Sequence, residues 1–155
     1  RMADVEAEVP FSDLFAVQLS KLKLTGDAAR IAYEMGLLSP DYRSLATSPL
    51  ATSDARGRFL AGIAAGSVKG LTAPDSMARA LAPAFTAPVL PAGAEDLLAQ
   101  KRLGEAMLMA ISLIDSGLKG DTTQVAKGLA LLRKLGLEDA ARRTALEVLL
   151  LERRG

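Results

Sequence analysis

Apolar residues recur at helical spacing along most of this chain, and no segment reads as a strand. Ser12 looks like the N-cap of a helix from Asp13 to about Leu24, with Leu14, Phe15, Leu19 and Leu22 inward. Thr25-Gly26-Asp27 breaks it. A second helix then runs from Ala28 to about Leu37, with Ile31, Met35 and Leu38 on its stripe. Ser39-Pro40 starts a short third helix that ends near Ala46. A loop at Thr47-Ser48-Pro49 follows, and Ser53-Asp54 opens a helix to about Ser67. The small residues Gly57, Ala61, Gly62, Ala64, Ala65 and Gly66 suit close approach to a neighbouring helix; Arg56 and Arg58 speak against a membrane setting. Pro74 opens the next helix, with Met77, Leu81 and Phe85 inward, and Pro83 limits it.

Residues 86–93 contain Pro88, Pro91 and Gly93 and form a surface linker between two blocks. Residues 1–10 are a flexible lead-in, and 11–155 form one domain made of blocks 11–85 and 94–155. A helix begins near Ala94 and extends to Ala99 or beyond. The segment Leu103 to Ile114 is apolar nearly all round, so it is predicted to be the central helix, covered on most sides. Ser116 to Gly120 is a loop. Asp121 and Gln124 resemble a capping box for a helix to Leu135, with Val125, Leu129 and Leu132 as its stripe. Gly136 is placed for a left-handed C-terminal residue, with Leu137 folding back onto Leu132. The last helix runs from Glu138 to about Glu152, its acids first and Arg153-Arg154 last, as the helix dipole prefers.

The fold class is therefore all-α. The expected form is an irregular array of antiparallel helical hairpins, about eight or nine helices, solenoid-like or an orthogonal bundle. Composition agrees: half of the 155 residues are hydrophobic, and only four Phe and two Tyr supply aromatic rings. A core of Leu, Ala, Ile, Val and Met favours helices. With no Cys and no His, disulfides, thiol nucleophiles and Ser-His-Asp catalysis are excluded. Nineteen basic against eighteen acidic residues give no footprint for nucleic acid. No apolar run approaches the ~20 residues of a membrane span.

Candidate chemistry is sparse. Glu95-Asp96 and Glu138-Asp139 are paired acids, but both pairs fall at helix starts, where the dipole accounts for them. Gly117-Leu118-Lys119-Gly120 precedes a helix start, where backbone amides could hold phosphate, yet it also reads as a plain turn. Arg142-Arg143 with Arg133-Lys134 would form a basic patch if Glu138, Asp139 and Glu147 were not interspersed. No catalytic residue, cofactor site or metal site is assigned.

Leu146, Val148, Leu149, Leu150 and Leu151 cover more than one face of the last helix. They must tuck between helices of their own domain or meet a partner or a second copy. The candidate partner-binding residues are thus Leu146, Leu149, Leu150 and Leu151, flanked by Arg142 and Arg143.

Two segments share a pattern of helix end, turn and Asp-Ala-Ala-Arg: Leu19 to Arg30 and Leu132 to Arg142. Gly26 to Pro40 resembles the second helix of a tetratricopeptide repeat, although Asp-Ala-Ala-Arg is also simply a good helix start. The resemblance implies stacked helical hairpins. The expected function is a non-enzymatic scaffold that binds a protein partner or its own copy. Binding would use the apolar C-terminal helix or a groove between hairpins. The alternative is an accessory helical domain of a larger bacterial cell-envelope protein or cell-wall enzyme. Arg1 ahead of Met2 suggests an appended residue or a removed upstream region, and tilts the expected setting slightly towards the periplasm.

Overall fold

Short polar side chains, proline and glycine decide where these helices start and stop. The computed structural model describes residues 7–47 and 54–151, and every regular element among them is helical. In chain order these are α1 (Glu8–Ser20), α2 (Gly26–Leu37), α3 (Tyr42–Leu45), α4 (Ala55–Ala65) and α5 (Ser76–Leu81). A 3₁₀ turn, Ala82–Phe85, continues α5. Then come α6 (Ala94–Ala99), α7 (Leu103–Lys119), α8 (Thr123–Lys134) and α9 (Glu138–Leu151). Expectations for Ser48, Pro49, Ser53, residues 1–6 and Glu152 to Arg154 lie outside the described residues.

Asp54 caps α4 by accepting from the Gly57 amide at 2.7 Å, and Asp75 caps α5 by accepting from the Ala78 amide at 2.8 Å. Asp121 accepts from the Thr123 amide and hydroxyl and from the Gln124 side chain, at 3.0, 2.7 and 3.1 Å. The closure after α8 is the expected one. Gly136 has φ +81°. Its amide donates to Arg133, and the Leu137 amide donates to Leu132, at 3.0 and 2.9 Å.

The first helix departs from expectation. It starts at Glu8, inside the predicted lead-in, because Pro10 sits in the first turn, where a missing amide hydrogen costs nothing. Ser12 is not the cap: it is buried within α1, and its hydroxyl donates to the Val9 carbonyl at 2.8 Å. The helix packs against α2 through Ser12 and Ala16, so Leu14, Phe15 and Leu22 face outward. On α2 the same inversion leaves Ile31 exposed and buries Ala32, Tyr33, Gly36 and Leu37.

One core spans both blocks, from Tyr33, Phe59 and Leu81 to Leu131 and Leu146. Its centre is α8, which buries Val125, Ala126, Gly128, Leu129, Ala130, Leu131 and Leu132. That helix touches α7, α9, α5 and the 3₁₀ turn. The predicted central helix, α7, lies instead at the periphery. It buries only Ala106, Ala110 and Gly117, a stripe of small residues at helical spacing. Gly117 lies against Val125, and Gly128 lies against the Ala110 carbonyl. Close backbone approach on this side turns the large side chains away: Leu103, Met107, Leu108 and Ile111 are 53, 39, 67 and 53% exposed. The predicted loop at Ser116 to Gly120 is also shorter, since α7 continues to Lys119.

This arrangement predicts a sharp contrast in urea unfolding. Leu146→Ala, in the core, should cost about 2–5 kcal/mol. Leu108→Ala should cost no more than about 0.5 kcal/mol.

Candidate functional site

A buried helix end leaves its last carbonyls without intrahelical donors, and something must supply them. At the C-terminus of α4 two arginines do so. Arg133, from α8, donates to the carbonyls of Gly66 (3.1 Å) and Ala84, and its guanidinium lies 4.8 Å above the Phe85 ring. Arg142, from α9, reaches the Ala64 carbonyl at 3.5 Å. Gly66 has φ +91°, and a Cβ there would strike the Arg142 guanidinium. Glu138 sits between the two arginines, 3.0 Å from Arg133 Nε and 3.3 Å from Arg142 Nε, the second contact lacking hydrogen-bond geometry. Arg56 joins α4 to the opposite end of α9. It donates to Glu34 at 3.0 Å and to the Leu149 carbonyl at 3.4 Å, and lies 3.5 Å from Asp75.

These contacts decide the fate of the predicted partner-binding residues. Leu146 and Leu149 are buried within the fold, and Leu150 and Leu151 are half-buried. The leucine-rich end is covered largely by the chain itself, because α9 lies against α4, α5 and α8. Arg142 is spent on α4. Of that set, Arg143 is the residue that keeps an outward role, on the rim beside Asp139 and Glu147. The leucine surface expected at α9 is therefore corrected: its apolar side chains fill an interior slot.

The acid pairs do fall at helix starts, in the first turns of α6 and α9. Tyr42 donates its hydroxyl to Asp139 at 2.7 Å, and Arg43 donates to both, at 3.0 Å each. The Tyr42 hydrogen bond and the Arg43 charge hold the Asp139 carboxyl below its usual value of 3.8. Burial pushes the Tyr42 hydroxyl up. Burial also raises Tyr33, whose hydroxyl has no hydrogen-bond partner among the described residues, to about 12. Glu95, Asp96, Arg133, Lys134 and Glu138 all line an open hollow of about 750 Å³ beside the linker. Glu138 is neutralised there by its arginines. Among the described residues no group of three or more acids is placed to hold a metal ion. The Gly117 to Gly120 segment offers no anion pocket: Lys119 is held by Asp115 at 2.7 Å, and Asp121 takes up the amide at the start of α8.

A second hollow has a different character. It is a groove of about 400 Å³ between α7 and α9, floored by Leu132 and Leu137. Met107, Ile111, Ile114 and Leu118 form the α7 wall, and Ala140 and Thr144 the α9 wall. Asp115 is the one charged residue that lines it among the described residues. Charges of both signs, Lys119 on α7 and Arg143 and Glu147 on α9, stand on the helices beyond. No family model, curated protein or solved structure matches the chain. The sequence reading had placed the α7 residues in the core. What betrays them is the stripe Ala106, Ala110, Gly117, matched by Gly128 on the next helix.

Two predictions follow from the charged contacts. Arg133→Met takes the side-chain donor from the Gly66 and Ala84 carbonyls and one of the two arginines from Glu138, and should lower stability by about 2–4 kcal/mol in denaturant titration; Arg143→Met should stay within about 0.5 kcal/mol. Asp139 has a lowered pKa in the fold, so its contribution is present above the ordinary carboxylate value and is lost as pH falls below 3.8. Asp139→Asn should therefore flatten the acid limb of a stability–pH curve below about pH 4 and leave its slope near neutrality unchanged.

Proposed function

We propose that the chain is a non-enzymatic helical docking module that receives an apolar helix in the groove between α7 and α9. One observation carries the reading: Leu103, Met107, Leu108 and Ile111 stand in water beside an apolar groove, on a helix whose other side is already packed. Leaving large apolar side chains exposed forgoes roughly 25 cal/mol per Å² of burial, so a contiguous row of them marks a surface that pairs. The hollow beside the linker is the weaker candidate. Its Arg133 and Glu138 already have partners within the chain, whereas Met107 and Ile111 on the groove's α7 wall stay exposed.

The groove suits an amphipathic helix with anchors at i, i+3 or i+4, and i+7. Met107 provides an unbranched, polarizable wall that adapts to such anchors. The mixed charges around it select neither a strongly acidic nor a strongly basic partner.

Selection of helical peptides from a random display library tests this. Enriched peptides should carry large apolar residues at those spacings and lose binding when Ile111→Lys is introduced into the chain. Failure to enrich any such peptide, or binding that survives Ile111→Lys, would refute the reading.

A further inference from the structure

The occupant of this surface follows from the arrangement of α7 itself. Resting on the docking reading above, we infer that the groove's natural occupant is α7 of a second copy, crossing antiparallel about a twofold axis near Leu108. The helix carries both halves of the contact. Its outer edge is a ridge that culminates in Leu108, the most exposed of its large apolar side chains. Its flank towards α9 is one wall of the groove. A surface with ridge and groove side by side is self-complementary under a twofold rotation: each ridge enters the other copy's groove.

Charge supports a copy of the same chain over an unrelated helix. From Ala106 to Ile114 the helix has no charged residue, so two copies cross at their centres without repulsion. The ends differ in sign. Lys101 and Arg102 precede the helix, with Glu105 paired to Arg102; Asp115 and Asp121 mark the other end, with Lys119 paired to Asp115. An antiparallel crossing brings unlike ends together, and it also aligns each helix's positive dipole end with the other's negative end. Lys101, in the turn before the helix, and Asp115 lie on opposite sides of Leu108 along the chain, so a crossing centred there brings Lys101 towards the second copy's Asp115.

The size of the patch sets the strength. The four exposed side chains of α7 present on the order of 400 Å² per copy, within the range of the largest bare patch on a typical monomer. Two such faces bury on the order of 800 Å² in all, the range of weak, transient association. The pairing is therefore weak and concentration-dependent.

Sedimentation equilibrium on the whole chain, from about 1 µM to about 1 mM, tests the inference. The mass should rise from one chain to two across this range. Leu108→Lys should keep the parent's helical circular dichroism and melting temperature, and should weaken association by about 30-fold or more. Leu14→Lys, on the exposed side of α1, should dimerise as the parent does. Lys101→Asp should weaken pairing several-fold, and adding Asp115→Lys should restore it. A single-chain mass at every concentration overturns the inference, as does a dimer indifferent to Leu108→Lys. A monomer that still captures amphipathic peptides leaves the docking reading intact and removes only the second copy. A monomer that captures none removes both.

Discussion

At the end of α4 the Gly66 and Ser67 amides close back on the Ile63 and Gly62 carbonyls, and the carbonyls of Ala64 and Gly66 are met by donors from elsewhere in the chain. Arg133 and Arg142 meet them, from the last turn of α8 and the first turns of α9. Both arginines lie within a few residues of Gly136, whose left-handed backbone turns α8 into α9. The tight turn and the capped helix end are thus one structure. To bring both guanidiniums onto α4, the α8–α9 hairpin must enter the middle of the fold. Once α8 holds the centre, α7 has only one side to pack against, and its outer face is left to solvent. The peripheral place of α7 follows from how the α8–α9 hairpin reaches back to the end of α4, 67 and 78 residues earlier in the chain.

Local signals were legible where the chemistry is local. Asp54, Asp75 and Asp121 cap or brace helix starts, and Gly136 with Leu137 closes α8 as their residue types require. Pro83 turns α5 into a 3₁₀ turn, and Met77, Leu81 and Phe85 face inward. What could not be read was which face of an apolar helix packs. On α1 and α7 the rule that the largest apolar residues point inward fails, and on α2 it fails for Ile31 while Tyr33 and Leu37 obey it. Ser12 with Ala16, Ala32 with Gly36, and Ala106 with Ala110 and Gly117 are buried, while Leu14, Ile31 and Leu108 are not. Small side chains permit close backbone contact, whose dispersion gain rivals burial of a bulkier residue. A helix that is apolar all round does not reveal which option it takes. The long-range roles of Arg56, Arg133 and Arg142 were equally hidden, because a charged residue on a helix face looks solvated until its distant carbonyl is known.

The same economy shapes the surface. α9, whose leucines looked like the exposed excess, finds a slot between α4, α5 and α8 and is largely used up. Exposed apolar side chains stand instead on α1 and on α7, and on α7 they border a groove with small residues on the far wall. Acids and arginines elsewhere hold the fold: Asp139 ties α3 to α9 through Tyr42 and Arg43, and Glu34 ties α2 to α4 through Arg56. These polar contacts serve the architecture of the described residues.

The most direct test of the central place of α8 is native-state hydrogen exchange, at protein concentrations low enough for a single copy. Amides that open only with global unfolding should cluster in α8, from Leu129 to Leu132, while those of α7 from Met107 to Ile111 exchange through smaller, local openings. Finding the slowest amides in α7, with α8 exchanging earlier, would contradict the account.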